Sequence, residues 1–377
     1  MRILTLIYEF PPVGGGGGRA AYDICKGLVA RGHQVTVLTA HMQGLPFEEY
    51  KDGIRLVRIS SFRRKTFGAG FITMLAYVLA GLWAGFRLIR LDRPDIIHTH
   101  FAVPSGALAW MLSVLTGIPY ILTAHLGDVP GGVPEKTGKW FRWVGPFIYP
   151  IWKRAKKVIA VSAHTRQLAL QHYPVSIEVI PNGADVKQLA PSAITVNTPP
   201  RLIFAGRFMP QKNPLAIIQT LSQLKDLTWK CSMLGDGPLL EDVKREIEKE
   251  GMSDRFDLPG WVTPETVLEQ FSKSDILFMP SLSEGLPVVG VQALATGLAI
   301  VASKIGGFLD LVESEKNGYL IDVQDIPAFS RVLRKMISNP EVLLRFREAS
   351  LEKAREFDIQ KVVDQYQFIL KSVSNQN

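Results

Sequence analysis

Along the chain, short β-branched or apolar runs alternate with longer stretches of helical periodicity. Runs at residues 2–7, 34–39, 55–59, 95–98, 120–123, 158–161 and 177–180 predict strands with helical segments between them. Alternation of this kind builds a parallel sheet covered by helices. From residue 183 the chain turns polar and proline-punctuated, ending in ITVNTPP, and the alternation restarts at Arg201 with RLIFAG. Further strands are expected at 201–205, 229–234, 255–258, 275–279, 298–302 and 319–321. The expected architecture is α/β, with two doubly wound parallel-sheet (Rossmann-like) domains facing a central cleft. The first spans 1–185 and the second 201–355, with a linker at 186–200. Residues 356–377 are expected to form a helix that crosses back to the first domain. In open sheets of this type, ligands collect outside the carboxyl ends of the strands.

One segment breaks the rhythm. FITMLAYVLAGLWAGFRLI, residues 71–89, is almost uniformly apolar and nearly long enough to span a bilayer. It lies between strands of one expected sheet, and a span there would sever that sheet. A helix that is buried, or that partly faces a membrane, is expected instead.

Composition narrows the class. In 377 residues, 47% are hydrophobic and 21% charged, the balance of a globular protein with room for two cores. Only Cys25 and Cys231 are present, far apart, so neither a disulfide framework nor a zinc site is expected, and a cytoplasmic setting fits. MRILTLIYEF reaches Glu9 too soon for a signal peptide and reads as a core strand. The net charge of +8 favours anionic partners. Without repeats, zinc-finger spacing or an aromatic RNA-binding signature, nucleic acid is not the expected one.

Three places carry candidate chemistry. The glycine run 14–18 lets backbone approach a ligand closely, and from Gly15 to Ala20 it completes a GxGxxA pattern. A nicotinamide site is not expected, because EFPPV separates the glycines from the strand and VTVLTAH ends without an acidic residue. In RLIFAGRFMPQKNP, Arg207 falls at a strand's carboxyl end and Lys212 precedes Asn213-Pro214, an expected N-cap and first helical residue. Two cations at a helix N-terminus suit a diphosphate. In DILFMPSLSEGLPVVGVQALATGLAIVAS, Glu284 sits at a strand-to-helix turn, where a carboxylate accepts hydrogen bonds from sugar hydroxyls.

Taken together, PPVGGGGGR, LVARGHQVTVLTA, IIHTH, TAHLGD, VIAVSAHT, VIPNGAD, FAGRFMPQKNP, LGDGP, LPGWV and SLSEGLPVVGVQALATGLAIVAS followed by IGG cover nearly the whole chain. In order and spacing they resemble glycosyltransferase family 4, retaining and metal-independent enzymes of the GT-B type. The resemblance implies a hexosyltransferase that takes a nucleotide-diphosphate sugar as substrate and needs no cofactor. The acceptor would be a glycan, a glycolipid or a small hydroxyl compound, as in cell-surface polysaccharide or glycolipid synthesis. By the same resemblance, Gly15 and Gly16 border the donor diphosphate and acceptor, and His125 contacts the transferred sugar. Arg207 and Lys212 hold the diphosphate, and Glu284 binds sugar hydroxyls. Backbone N–H groups of Leu286, Pro287's neighbours, Val288 and Val289 complete the cradle, and Val262 borders the base. The family pattern usually has a second Glu eight positions after the first; here that position is Gln292, which binds ribose without charge assistance. Ala299 stands where the family often has Pro.

His98, His100, His125 and Asp128 also invite a metal reading, but they lack helical metal-ligand pairing, so no metal site is expected. Other activities on the same scaffold are a sugar-nucleotide epimerase, a phosphorylase and a catalytically silent binding subunit, the last suggested by Gln292. Finally, residues 62–65 and KWFRWVGPFIYPIWKRAKK, residues 139–157, mix aromatics with cations. Such mixtures suit an anionic membrane surface, so peripheral association with the cytoplasmic face is expected of the first domain.

Overall fold

The computed structural model describes residues 1–64, 70–133 and 141–375, with the side chains of 141–144 and 146 outside the description. Lys65, Lys139 and Trp140, three of the expected membrane-facing residues, therefore lie outside the described residues, as do the side chains of Phe141 and Trp143. The chain forms two units, one of Met1–Gly183 with Ile359–Asn377 and one of Ala184–Asp358.

In the first unit, apolar runs become strands β1 (Arg2–Leu6), β2 (Gln34–Ala40), β4 (Ile54–Ile59), β5 (Ile96–His100), β6 (Tyr120–Ala124), β7 (Lys157–Ala160) and β8 (Ile177–Val179). A further strand, β3 (Glu48–Lys51), pairs antiparallel with β4. It escapes the sequence pattern because EEYK is a short, solvent-facing edge strand without apolar alternation. The sheet order is β3-β4-β2-β1-β5-β6-β7-β8, parallel apart from β3. Both faces are covered, which is why the central strands read as continuous apolar runs. Ile3 joins a core layer with helix α1 (Gly16–Ala30) and the C-terminal helix Ile359–Ser374. Leu4 and Leu6 face the other layer, built with α2 (Phe71–Asp92) and α3 (Ala107–Thr116).

The C-terminal helix is integral to this unit. A Cβ at Gly27 would come within 2.4 Å of Val363, so the missing side chain lets α1 and that helix approach closely. Arg31 then pairs with Asp364 at 2.6 Å.

In the second unit, β9 (Arg201–Ala205), β10 (Lys230–Leu234), β11 (Phe256–Gly260), β12 (Ile276–Met279), β13 (Ala299–Ser303) and β14 (Gly318–Ile321) form a parallel sheet ordered β11-β10-β9-β12-β13-β14. Residues 186–200 are tied to it through Asp275, which is fully buried. Asp275 accepts hydrogen bonds from the backbone N–H groups of Asn197 and Arg201 and from Arg347 Nη1. Arg347 also donates to the carbonyls of Thr195 and Gly297. A buried carboxylate is stable only with such a full set of partners.

Candidate functional site

Each sheet has one place where the strand order reverses, and loops leaving the strands there diverge to opposite faces and open a crevice. In the first unit the reversal lies between β1 and β5; in the second, between β9 and β12. The candidate residues other than Val262 lie at or next to these two places.

In the first unit the glycine run follows β1 and starts α1, with Gly15 at the N-cap and Gly16 as the first helical residue. Packing explains three of the five glycines. Gly14 has φ +99° and its Cβ would lie 2.5 Å from Glu9 Cβ, while a Cβ on Gly18 would lie 2.6 Å from the Glu9 carbonyl oxygen. A Cβ on Gly17 would meet the Phe101 ring at 2.5 Å and His125 Cε1 at 3.4 Å. Gly15 and Gly16 are exposed, and a Cβ on Gly15 would meet nothing within 4 Å. The fold does not explain why Gly15 is glycine; an approaching ligand would.

His125 follows β6 and stacks on Phe101, which follows β5, with ring centroids 4.2 Å apart and an interplanar angle of 22°. Its backbone N–H donates to Asp128 Oδ2 at 2.8 Å, and Asp128 Oδ1 accepts from Ala102 N–H at 2.8 Å. One buried carboxylate thus ties the β5 and β6 loops together. Burial pushes Asp128 up to about 7, against the lowering pull of its backbone donors, and pushes His125 down to about 4. At neutral pH the imidazole is therefore uncharged and serves as a hydrogen-bonding group rather than a cation. Its Nε2 has no hydrogen-bond partner among the described residues. His98 and His100 continue inward from this ring. His100 lies 5.8 Å from His125 and 4.3 Å from His98, and His98 Nε2 shares a hydrogen bond with Thr123 Oγ1, which in turn meets Tyr366 of the C-terminal helix. Burial lowers His98 to about 3 and His100 well below the usual histidine value.

In the second unit, Lys212 and Glu284 come from the two loops at the reversal. Lys212 ends the single turn Pro210–Lys212 after β9, and Glu284 lies in the loop after β12. Lys212 Nζ donates to Glu284 Oε1 at 2.5 Å, and Ser281 Oγ donates to the same oxygen at 2.8 Å. Among the described residues Glu284 Oε2 accepts no hydrogen bond, which leaves it as the acceptor for a ligand hydroxyl. Glu284 does not cap the following helix. Asn213 does occupy the N-cap position of Pro214–Leu221, but in a left-handed conformation and without a side-chain capping bond. Arg207 is half-buried between β9 and that turn, outside the Lys212–Glu284 ion pair.

Residues not singled out from the sequence hold this loop. Gln211 accepts from Leu282 N–H through its backbone carbonyl and donates from its side-chain Nε2 to the Ser283 carbonyl. A Cβ on Gly306 would sit 1.8 Å from the Glu284 carbonyl oxygen, and one on Gly307 would sit 2.0 Å from that of Gly285. The two glycines let the 303–308 loop lie directly against the Glu284 turn, with Gly307 N–H donating to the Glu284 carbonyl. The only sequence signal was the IGG tripeptide itself.

The helix Val288–Ala295 begins after Pro287. Leu286, Pro287 and Val288 are buried and Val289 half-buried, so what this turn can offer a ligand is its first-turn backbone N–H groups rather than its side chains. Gln292 lies one turn beyond Val288 and is half-buried; helical side chains lean toward the N-terminus, which directs its amide back to the same turn. Val262, half-buried, follows β11 beside the exposed Trp261, two strands from β9.

The family described as Glycosyltransferase Family 4 matches residues 14–188, and that described as Glycosyl transferases group 1 matches 187–353. The chain is 26% identical over 298 residues to the Escherichia coli UDP-Gal:alpha-D-GlcNAc-diphosphoundecaprenol alpha-1,3-galactosyltransferase, covering 74% of this chain and 76% of that one. Among solved structures it resembles sucrose-phosphate synthase from Thermosynechococcus elongatus, with a TM-score of 0.86 at 19% identity and full coverage of both chains. It also resembles Anabaena HepE in complex with UDP and glucose, with a TM-score of 0.79 at 19% identity over 99% of this chain and 100% of that one. With both halves matched in sequence and both sheets in fold, the chain belongs to the GT-B glycosyltransferases of family 4.

Proposed function

We propose that this glycosyltransferase moves a sugar from a nucleotide-diphosphate donor to a hydroxyl acceptor with retention of anomeric configuration and without a divalent metal. The Lys212–Glu284 pair carries this reading. It sets a cation and a carboxylate with one open oxygen side by side at the reversal of the second sheet. A diphosphate is neutralised by Arg207, Lys212 and the first-turn amides of Val288 and Val289, while Glu284 Oε2 accepts from a hydroxyl of the transferred sugar. Neutral His125 offers a hydrogen bond to the sugar without competing for the phosphate charge. The donor's C1–O bond breaks and negative charge grows on the leaving phosphate oxygen. That oxygen takes the acceptor's hydroxyl proton as the new C1–O bond forms on the same face.

The HepE complex with UDP and glucose supports a nucleoside-diphosphate donor, and the E. coli relative's name supports a lipid-diphosphate-linked acceptor. Turnover with UDP-, GDP- and ADP-sugars in excess EDTA, with anomeric configuration read by NMR, tests the proposal. Retained configuration and EDTA-resistant transfer are expected. Activity that needs Mg²⁺ or Mn²⁺, or an inverted product, refutes the mechanism. Binding without transfer across acceptor panels identifies a silent subunit, and donor turnover to an isomeric sugar nucleotide identifies an epimerase.

A further inference from the structure

α2 has one face that the first unit explains and one that it does not. Tyr77, Gly81, Gly85, Leu88 and Ile89 are buried. Tyr77 O–H donates to the Leu38 carbonyl at 3.1 Å. A Cβ on Gly81 would lie 2.5 Å from Leu108, and one on Gly85 would lie 2.7 Å from Leu112, so α2 packs tightly along α3. α2 is long and apolar enough to cross a membrane, but these contacts make it a layer of the domain.

On the other face Phe71, Leu75, Leu79 and Trp83 recur every four residues and are all exposed, with Ile72 beside them. Ile72 is 74% and Trp83 70% exposed, values that a merely structural amphipathic helix avoids. The stripe then turns basic. The Arg87 guanidinium lies 5.8 Å from the Trp83 ring centroid, and that of Arg90 lies 4.5 Å from the Phe86 ring. At the matching end of α3, Val114 and Leu115 are exposed, and Arg154 donates to the adjacent Ser113 carbonyl at 3.2 Å. Exposed apolar or cationic groups thus occur on α2, on α3 and on the helix Phe141–Arg154, which packs against α3.

Charge identifies the partner. The first unit contains 23 Lys and Arg against 11 Asp and Glu, a formal +12, whereas the second contains 20 against 24, a formal −4. All of the chain's positive excess lies in the unit that bears the stripe. A second copy docking there would bring two +12 units together, whereas an anionic lipid surface complements both the apolar and the cationic groups. We infer that this face of the first unit docks on an anionic bilayer. The α2 stripe enters the hydrocarbon edge, Trp83 lies at headgroup level, and Arg87, Arg90 and Arg154 meet lipid phosphates. Arg63, an expected membrane-facing cation, is not part of this surface; it is buried and paired with Glu9 at 2.9 Å.

Vesicle flotation of the full chain tests the inference independently of the donor or acceptor. Vesicles of phosphatidylcholine alone are compared with vesicles containing about 30 mol% phosphatidylglycerol, at low salt and at about 0.5 M NaCl. Binding is expected only to the anionic vesicles, and high salt should weaken it at least about tenfold. The double variants Leu79→Glu/Trp83→Glu and Arg87→Glu/Arg90→Glu should each lower partitioning at least about tenfold with unchanged Tm, because these side chains are exposed. Wild-type protein that stays unbound at low salt, binds both vesicle types equally, or is indifferent to both double variants overturns the inference. So does a lipid-free dimer in sedimentation velocity that Leu79→Glu/Trp83→Glu dissociates, which would assign the stripe to a second copy.

Discussion

Lys212 and Glu284, separated by 72 residues in sequence, form an ion pair in which neither side chain is more than 15% exposed. Buried pairs of this kind respond asymmetrically to substitution: removing one partner strands a charge, while removing both does not. Lys212→Met should therefore destabilise the protein by on the order of 3 kcal/mol, and Lys212→Met/Glu284→Leu should recover much of that loss in chemical denaturation. Both variants should lose transfer activity by about 100-fold or more, because a donor to the leaving phosphate is gone in each. Near-normal kcat/KM in Lys212→Met would remove the lysine from the site.

Gln292→Glu should tighten donor binding several-fold in calorimetry, since a charged acceptor makes a hydrogen bond roughly twice as strong as a neutral one. An unchanged Kd for the nucleotide places position 292 away from the ribose.

The glycines separate packing from function. Gly15→Ala meets open space, so its Tm should match wild type while donor or acceptor KM rises. Gly18→Ala and Gly306→Ala drive a methyl into backbone carbonyls and should destabilise by about 2 kcal/mol or more, with Gly306→Ala also lowering kcat by disturbing the Glu284 turn. Equal Tm losses for Gly15→Ala and Gly18→Ala would contradict this division.

Acid should unfold the first unit through its histidines. His98, His100 and His125 have folded values depressed below the ordinary histidine value of 6.5, so the unfolded chain binds more protons in that window and stability falls as pH drops from about 6.5 toward 4. Asp128 is raised to about 7 and acts oppositely, losing stability as pH rises from about 4 to 7, but it is one group against three. The net slope near pH 5 should be positive and on the order of a few kcal/mol per pH unit, and Asp128→Asn should steepen it by removing the opposing group. A Tm that is flat from pH 6.5 to 4.5 would show that the histidines are already protonated or solvated in the folded state.

The order of strands and helices was legible because buried parallel strands are apolar throughout, and Ile96, Ile97 and their neighbours announce themselves. Glu48–Lys51 was not, because an exposed edge strand carries no such signal. Lys212 and Glu284 stood out as charges in turns, but their pairing depends on which strands become neighbours, and local pattern does not fix that. The same holds for Gln211 and for Asp275 with Arg347, whose partners lie more than 70 residues away. Residues 71–89 read correctly as an apolar helix, but composition alone could not divide them into a face packed on Leu108 and Leu112 and a face left to solvent.

The helix Ile359–Ser374 sets the order in which the two units are completed during synthesis. Ile359, Val362, Val363, Tyr366, Ile369, Leu370 and Val373 share a core with Ile3, Leu28 and Ile96, so of the two units the one synthesised earlier is the one whose interior closes later. The second unit is one uninterrupted stretch, and its ends meet where Ala184 N–H donates to the Phe357 carbonyl at 3.0 Å, so it can fold while the first still waits. Deleting Ile359–Ser374 would therefore damage the unit whose strands come first in the sequence rather than the one it directly follows. It would uncover the floor beneath α1 and withdraw Tyr366 from the Thr123–His98 chain behind His125, leaving the second unit whole.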